Sequence, residues 1–554
     1  MIRLSNIKLP LDHDDQALAQ MVLTTLGITA EQMISFNMFR RGYDARKKSN
    51  IFLIYTLDVD VSPALEAELL IKFADDQLIK KTPDLDYHYV AQAPTELTER
   101  PIIVGFGPCG LLAGLTLAQM GYNPIILDRG KEVRERTKDT FGFWRQKILN
   151  TESNVQFGEG GAGTFSDGKL YSQVKDPKQY GRKVLTEFVA SGAPDEIMYV
   201  SKPHIGTFKL VSMVEKMRAE IIRLGGEIRF SSRVDDIELE TVETGEGDEP
   251  RQRITGLTLS TGEKLKSNHI SFAIGHSARD TFEMLYNKGV YIEAKPFSIG
   301  FRIEHEQSTI DAARFGPNAG NEILGAADYK LVHHCKNGRS VYSFCMCPGG
   351  TVVAATSEEF CVVTNGMSQY SRNERNANSA VVVGIDPNDY PGGPLAGIEL
   401  QRQLEKSAYV LGGSDYDAPA QTVGDFLKGI DSSKKDIDSL GSVKPSFKPG
   451  IKLVDLAKAL PDFAVDAIRE AIPAFNRKIK GFAKDDALLT GVETRTSAPI
   501  SIKRDDKFES INTQGLYPAG EGAGYAGGIM SAAIDGIKIA EAMALSLNTS
   551  FENK

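Results

Sequence analysis

Gly105-x-Gly107-x-x-Gly110 stands between two short apolar runs, Pro101–Val104 and Pro124–Leu127, and the second run ends in Asp128. These residue types, in this order, suit a dinucleotide. Gly105 permits a tight turn, Gly107 lets backbone approach a pyrophosphate, and Gly110 lets the following helix pack close to the first strand. The phosphates then meet free N–H groups at the helix start, where the dipole favours negative charge. Asp128 brings a carboxylate to the end of the second strand, where ribose hydroxyls can donate to it. Leu111, Leu112, Leu115 and Ala118 recur at helical spacing and Gly121 stops the helix, so the stretch reads as a βαβ unit. It is apolar enough to suggest a membrane span, but Pro108, Gln119, Asn123, Pro124 and its glycines break that pattern.

No second fingerprint follows a strand elsewhere, so one dinucleotide site is expected per chain. Three other segments read as parts of it. The loop Phe157–Leu170 offers Gly161, Gly163, Thr164, Ser166 and Asp167. The strand from His269 ends in Ala273 and Gly275. The run Gly515–Gly528 carries Gly520, Glu521, Gly527 and Gly528 towards Ile529 and a helix expected from about Met530 to Leu545. Pro108 and Cys109 inside the fingerprint, and Arg129 after the acid, complete the expected cofactor-binding set.

These segments resemble the bacterial FAD-dependent dehydrogenase family related to glutathione-reductase-type flavoproteins. FCMCPGG at 344–350, NGMSQYSRNERNANSA at 365–380 and VETRTSAPISI at 492–502 carry the same resemblance. It implies FAD, with Gly105, Gly107 and Gly110 at the pyrophosphate and Asp128 at the adenosine ribose. It also implies Val234 against the adenine, and Gly520, Glu521, Gly527 and Gly528 beside the ribityl chain and flavin ring. Many relatives carry Asp at the position of Glu521.

Candidates for catalysis are Cys345, Cys347, His204 and His276. Asn337-Gly338 reads as a two-residue hairpin turn, which pairs Cys335 with Ser340 and His334 with Val341. Alternation then puts Cys345 and Cys347 on one strand face, just before Pro348-Gly349-Gly350. Two readings compete: small buried hydrophobes, or thiols over the flavin, one of them a reactive thiolate. Same-face neighbours lie about 6.5–7 Å apart, at the limit for a disulfide. His204 and His276 sit beside glycine turns, where each could supply a proton or serve structure alone. The single Trp144 reads as core.

Two motifs are decoys. Gly163–Lys169 imitates a phosphate loop, but Leu170 stands where Ser or Thr would hold magnesium. His333, His334, Cys335, Cys345 and Cys347 suggest zinc, yet this pairing leaves His334 roughly 13 Å from Cys345, so no metal site is expected.

The elements that position these residues are spread along 554 residues, enough for two or three domains. Composition is that of a soluble globular protein, and a net charge of -9 argues against a nucleic-acid surface. Five cysteines and no apolar leader suit the cytoplasm. The expected fold class is α/β. A Rossmann-like FAD-binding domain is assembled from residues 97–285 and 484–554, with a mixed β-rich substrate or cover domain at 286–483. Within the latter, helices are expected at Lys452–Leu460 and Phe463–Ala471. Residues 1–96 read as an α+β ferredoxin-like module in the order βαββα, closed by a strand at Tyr87–Val90. Arg40, Arg41, Arg46, Lys47 and Lys48 read as a solvated hairpin or a docking patch, and acidic residues outnumber basic ones through Glu96. The expected partners are a small-molecule substrate and, as transient donor, NAD(P)H, without nucleic acid or membrane. The expected function is an FAD-dependent oxidoreductase. A flavin enzyme of RNA modification or hydroxylation, and a non-catalytic flavin-binding sensor, remain as alternatives.

Overall fold

A computed structural model describes residues 1–242, 251–437 and 440–552. Its central element is a five-stranded parallel sheet. The strands run in the order Leu516–Pro518, Ile270–Phe272, Ile102–Val104, Ile125–Leu127, Glu227–Arg229. Each is only three residues long, and all but the last are buried runs without alternation, as covered parallel strands require. The fingerprint helix Pro108–Gln119 and the C-terminal helix Ile529–Glu552 pack together. Gly536 makes this approach possible, because a Cβ there would lie 2.1 Å from the Cys109 carbonyl. Strands from residues 102–272 and from 516–518, far apart in the chain, thus meet in one sheet.

A second sheet carries the strands Val234–Val242, Arg251–Leu259 and Lys264–Lys266. The largest sheet has eight strands. Seven run in the order Val332–His334, Ser340–Ala354, Asn376–Ile385, Phe297–Glu306, Leu488–Glu493, Ala418–Thr422, Ile451–Leu453, and Thr364–Ser368 pairs with Ser340–Ala354. Helix Asp462–Lys478 covers it through Ile468, Ala471, Ile472 and Phe475. These recur at helical spacing, and each large aliphatic or aromatic side chain so buried contributes roughly 1.5–3 kcal/mol.

The N-terminal strands Ile2–Pro10, Met33–Asp44, Phe52–Val61 and Ile79–Lys81 form an antiparallel sheet in the order second, third, first, fourth. Helices Ala17–Leu26 and Pro63–Lys72 fall between them in the chain. The closing strand is Ile79–Lys81 rather than Tyr87–Val90. Leu4, buried on the first strand, aligns with the buried Ile79, and Tyr87 instead donates to Glu541 at 2.9 Å. The basic hairpin is partly a joint. Arg41 exchanges backbone hydrogen bonds with Tyr199 (2.6 Å) and Ser201 (2.8 Å), while Arg46 stays exposed on Asp44.

Two further expectations are corrected. Lys452–Leu460 is not a helix. Ile451–Leu453 pairs in parallel with Ala418–Ala420, and Asp455 then caps a short 3-10 turn at Leu456–Ala459 ahead of Pro461. The hairpin at Asn337-Gly338 has a three-residue loop. His334 pairs with Ser340, the Cys335 N–H donates to the Arg339 carbonyl (2.8 Å), and Gly338 takes the left-handed conformation. A one-residue slip exchanges faces, so His333 and Cys335 lie with Val341. None of the described helices is long and apolar enough to cross a membrane.

Candidate functional site

The site forms where the parallel strands end. Gly105, at φ 101°, makes the turn out of the first strand, and Gly107 opens the helix. A Cβ on Gly110 would sit 1.9 Å from the Gly105 carbonyl, so closeness of turn and helix alone demands glycine there. At Gly107 the nearest atom to a Cβ is 3.6 Å away and φ is ordinary. Nothing within the chain requires that glycine. The same holds at Gly527 and Gly528, exposed residues before the C-terminal helix, where a Cβ would meet no atom within 4 Å. Two helix starts, where N–H groups lack intrahelical partners, are therefore fronted by glycines whose smallness packing within the chain does not explain.

Asp128, buried at the end of its strand, accepts from the Phe106 N–H (2.9 Å) and the Gly130 N–H (2.8 Å). Burial raises its carboxyl above the ordinary range, against the pull of those two donors. Ser232 N–H donates to the Asp128 carbonyl (2.9 Å), which places Val234, buried at the start of its strand, beside the acid. Arg129 lies over the Phe157 ring and pairs with Glu152 and Asp280. Next to it opens a cleft of about 430 Å³, lined also by Ser277, Arg279, Ser357 and Glu358.

The glycine loop docks on the fingerprint. The Gly160 N–H donates to the Phe106 carbonyl (2.9 Å), Gly161 abuts Gly107, and Gly163 abuts Ile529. Ser166 and Thr164 bond within the loop, to Gly163 and Glu159. Ala273 packs its carbonyl against Gly105, and Cys109 is buried against Gly520. Gly275 turns at φ 68° with open space at its Cβ. Glu521 is half-buried, and burial pushes its carboxyl up to about 7 despite Lys295. Four distant segments of the expected cofactor set are thus brought together.

Three of the four candidate catalytic residues gather around a lysine that the sequence marked only as a decoy. Lys169 donates to Asp167 (2.6 Å) and to the Met346 carbonyl, between the two cysteines. Arg372 clamps both oxygens of Asp167 at 2.9 and 2.6 Å. Although burial raises it, Lys169 and Arg372 hold this carboxyl well below the ordinary range. Asp167 is accordingly engaged with these cations. His204 is bridged to Lys169 through backbone, stacks on Tyr370 and bonds to the Tyr370 carbonyl through Nε2 (2.9 Å). Burial and Arg372 push its imidazole below the ordinary value.

Cys345 and Cys347 do not share an open face. The ladder shifts between Phe344 and Cys347, Cys345 takes φ 41°, and only Cys345 is exposed. It is open to solvent although protein packs densely around it. Burial pushes its thiol up to about 12, against Lys169 and Arg302, and raises that of Cys347 in the same way. A thiolate at neutral pH is therefore not what these surroundings favour. Arg302, fully buried and paired with Glu493 (2.7 Å), donates to the Cys345 carbonyl (3.2 Å) and fixes the bulge. His276 lies apart, bonded to Ser277 (2.9 Å). Burial, Arg495 and Arg279 push it down to about 3, so it is neutral. Arg302 and Arg372 were missed because their partners are distant in sequence, and Lys169 because its contact with the Met346 carbonyl is, although Arg372 lies within the NGMSQYSRNERNANSA stretch.

Residues 296–496 match the family of FAD-dependent protein, C-terminal domain-like, and residues 1–60 match a domain of unknown function. A Clostridium beijerinckii protein described only as uncharacterized is 46% identical over 542 residues, 98% of each chain. Partial structural likeness extends to CtdE in complex with FAD, 12% identical over 82% of this chain and 86% of that chain at TM-score 0.32. It extends also to a flavoprotein/dehydrogenase from Cytophaga hutchinsonii, 11% identical over 81% and 79% at TM-score 0.36.

Proposed function

The chain belongs to a family of FAD-dependent proteins, its cofactor is FAD, and from that premise we propose that it is an oxidoreductase acting on a small molecule. One observation carries the reading. The loop that docks on both glycine-fronted helix starts, Gly161 against Gly107 and Gly163 against Ile529, continues to a fixed cation, Lys169, which bonds the Met346 carbonyl beside an exposed thiol, Cys345. A protein that only stored flavin has no need of such an arrangement.

Bound FAD supplies a carrier for an electron pair or hydride. The chain's residues do the rest. The N–H groups after Gly107 and Gly528 bind and orient phosphate and ring, Asp128 takes the ribose, and Val234 the adenine. Gly520 and Glu521 would line the ribityl chain. The Cys345 thiol keeps its proton at neutral pH and so acts as a hydrogen-bond or proton donor. Lys169 holds positive charge towards the reacting end, with Asp167 and Arg372 keeping it in place. His204 offers Nδ1 as an acceptor, because Nε2–H is committed to the Tyr370 carbonyl. Cys347 and neutral His276 support position.

The finer architecture belongs to the same proposal. Residues 97–285 and 484–554 make a Rossmann-like domain, 286–483 the substrate or cover domain, and 1–96 a ferredoxin-like module. A nicotinamide donor uses the cavity over the flavin. The five free cysteines suit the cytoplasm. Anaerobic mixing with NADH or NADPH, followed by a panel of acceptors, tests the function. Bleaching and acceptor-dependent recovery are expected, and a flavin that no donor or substrate reduces overturns it.

A further inference from the structure

Helix Asp462–Lys478 crosses the edge strand Val332–His334, and three donor groups meet there. His333 Nε2 lies 2.9 Å from Glu470 Oε1. Cys335, two residues on and facing the same way, puts Sγ 3.5 Å from the Ala467 carbonyl, just before Glu470 on the helix. The ligand atoms of His333, Cys335 and Glu470 all lie within 4.8 Å of one another. Cys335 forms the buried floor, while the side chains of His333 and Glu470 are 24% and 32% exposed at the mouth. The Lys336 N–H, at 3.2 Å from each Glu470 oxygen, orients the carboxylate.

We propose that these three residues bind one divalent transition metal ion, zinc by preference, with water as fourth ligand. Thiolate, imidazole and carboxylate together suit zinc or cobalt and not magnesium or calcium, which take oxygen ligands. Zinc bond lengths place ligand atoms roughly 3.4–3.6 Å apart around a tetrahedron. The His333–Glu470 pair opens slightly and the thiol moves inward, without backbone rearrangement. On binding, the Cys335 thiol loses its proton to solvent and His333 Nε2 gives up its hydrogen, so affinity rises with pH.

The ion would pin a three-residue edge strand to the covering helix, beside the turn of the hairpin whose second strand carries Cys345. The sequence concealed the site because Glu470 is far away in the chain and the two-residue turn misplaced the faces. None of its residues belongs to the cofactor set, so the proposal stands or falls separately from the flavin reading.

The test uses the full chain with its FAD, stripped by chelator and titrated with zinc in competition with a colorimetric chelator, and with Co²⁺ read beyond the flavin absorption. About one equivalent should bind, with a tetrahedral cobalt spectrum. Cys335→Ser and His333→Ala should each weaken binding at least about 100-fold, since even residues that merely support a ligand are worth 10–100-fold. Glu470→Gln should weaken it likewise and serves if the cysteine variant loses flavin or helical signal. Cys345→Ser should bind as wild type. No binding near one equivalent, binding indifferent to all three substitutions, or binding lost in Cys345→Ser overturns the assignment.

Discussion

The backbone N–H of Phe106, inside the fingerprint turn, donates to Oδ2 of Asp128 at 2.9 Å, so the acid that ends one strand shapes the turn that ends its neighbour. The other oxygen takes the Gly130 N–H at 2.8 Å. Replacing Asp128 by Asn turns one of these oxygens into a donor facing a donor. We expect a loss of about 1–3 kcal/mol in stability and weaker FAD retention. Thermal unfolding and flavin content after gel filtration check this together; an unchanged variant contradicts the role given to Asp128.

The cysteines should behave as thiols. With Cys345 pushed up to about 12 by burial, alkylation of the flavin-stripped protein at pH 7 should be at least about tenfold slower than for a free cysteine, and should still rise with pH above 9. Comparison with Cys345→Ser isolates its rate. Replacing both Cys345 and Cys347 by Ser should leave FAD content intact and change turnover. A rapidly modified Cys345 at pH 7 contradicts the protonated-donor role.

Glu521 gives a pH signature. Its carboxyl is raised to about 7 from an ordinary value near 4.5, mainly by burial. A raised folded-state value means the group favours folding when protonated. That stability is fully present below about 4.5 and is lost as pH rises through 7. The Tm of flavin-stripped wild type should therefore fall relative to Glu521→Gln between pH 4.5 and 7 and run parallel above it. A constant difference across that window contradicts this.

With a single dinucleotide fingerprint, donor and acceptor share one cavity. Initial rates over both concentrations should give the parallel lines of ping-pong kinetics. Intersecting lines, meaning both ligands bound at once, contradict a shared cavity.

Much of this site was legible because its chemistry is local. The fingerprint, the acid, and the strand-to-helix run at 515–529 are short patterns with fixed backbone demands, and the structure packs four such segments against one another. What was hidden depends on contacts between distant segments. Lys169 looked like a failed phosphate loop because the distant groups that fix it, the Met346 carbonyl and the Arg372 that shares Asp167 with it, leave no periodic trace. The hairpin at 337–338 was misread by one residue, since Asn-Gly fits both a two-residue turn and the last two positions of a three-residue loop, and that step reverses every side chain beyond it. The strand at Ile451–Leu453 resembled a helix because its parallel partner at 418–420 is supplied by tertiary structure. Thiolate reactivity was unreadable because burial, not neighbouring sequence, sets the cysteine titration.

The central claim is tested most directly by flavin stoichiometry in the wild type and Gly107→Leu. Gly107 has room for a Cβ, its nearest neighbour being 3.6 Å away, whereas Gly110 has none. The wild type should be isolated yellow with about one FAD per chain. Gly107→Leu should be folded, by circular dichroism and Tm, but colourless and unable to take up added FAD. Gly110→Ala should lose fold and flavin together. A Gly107→Leu protein that retains a full equivalent of FAD would contradict the placement of the pyrophosphate, and with it the site as described.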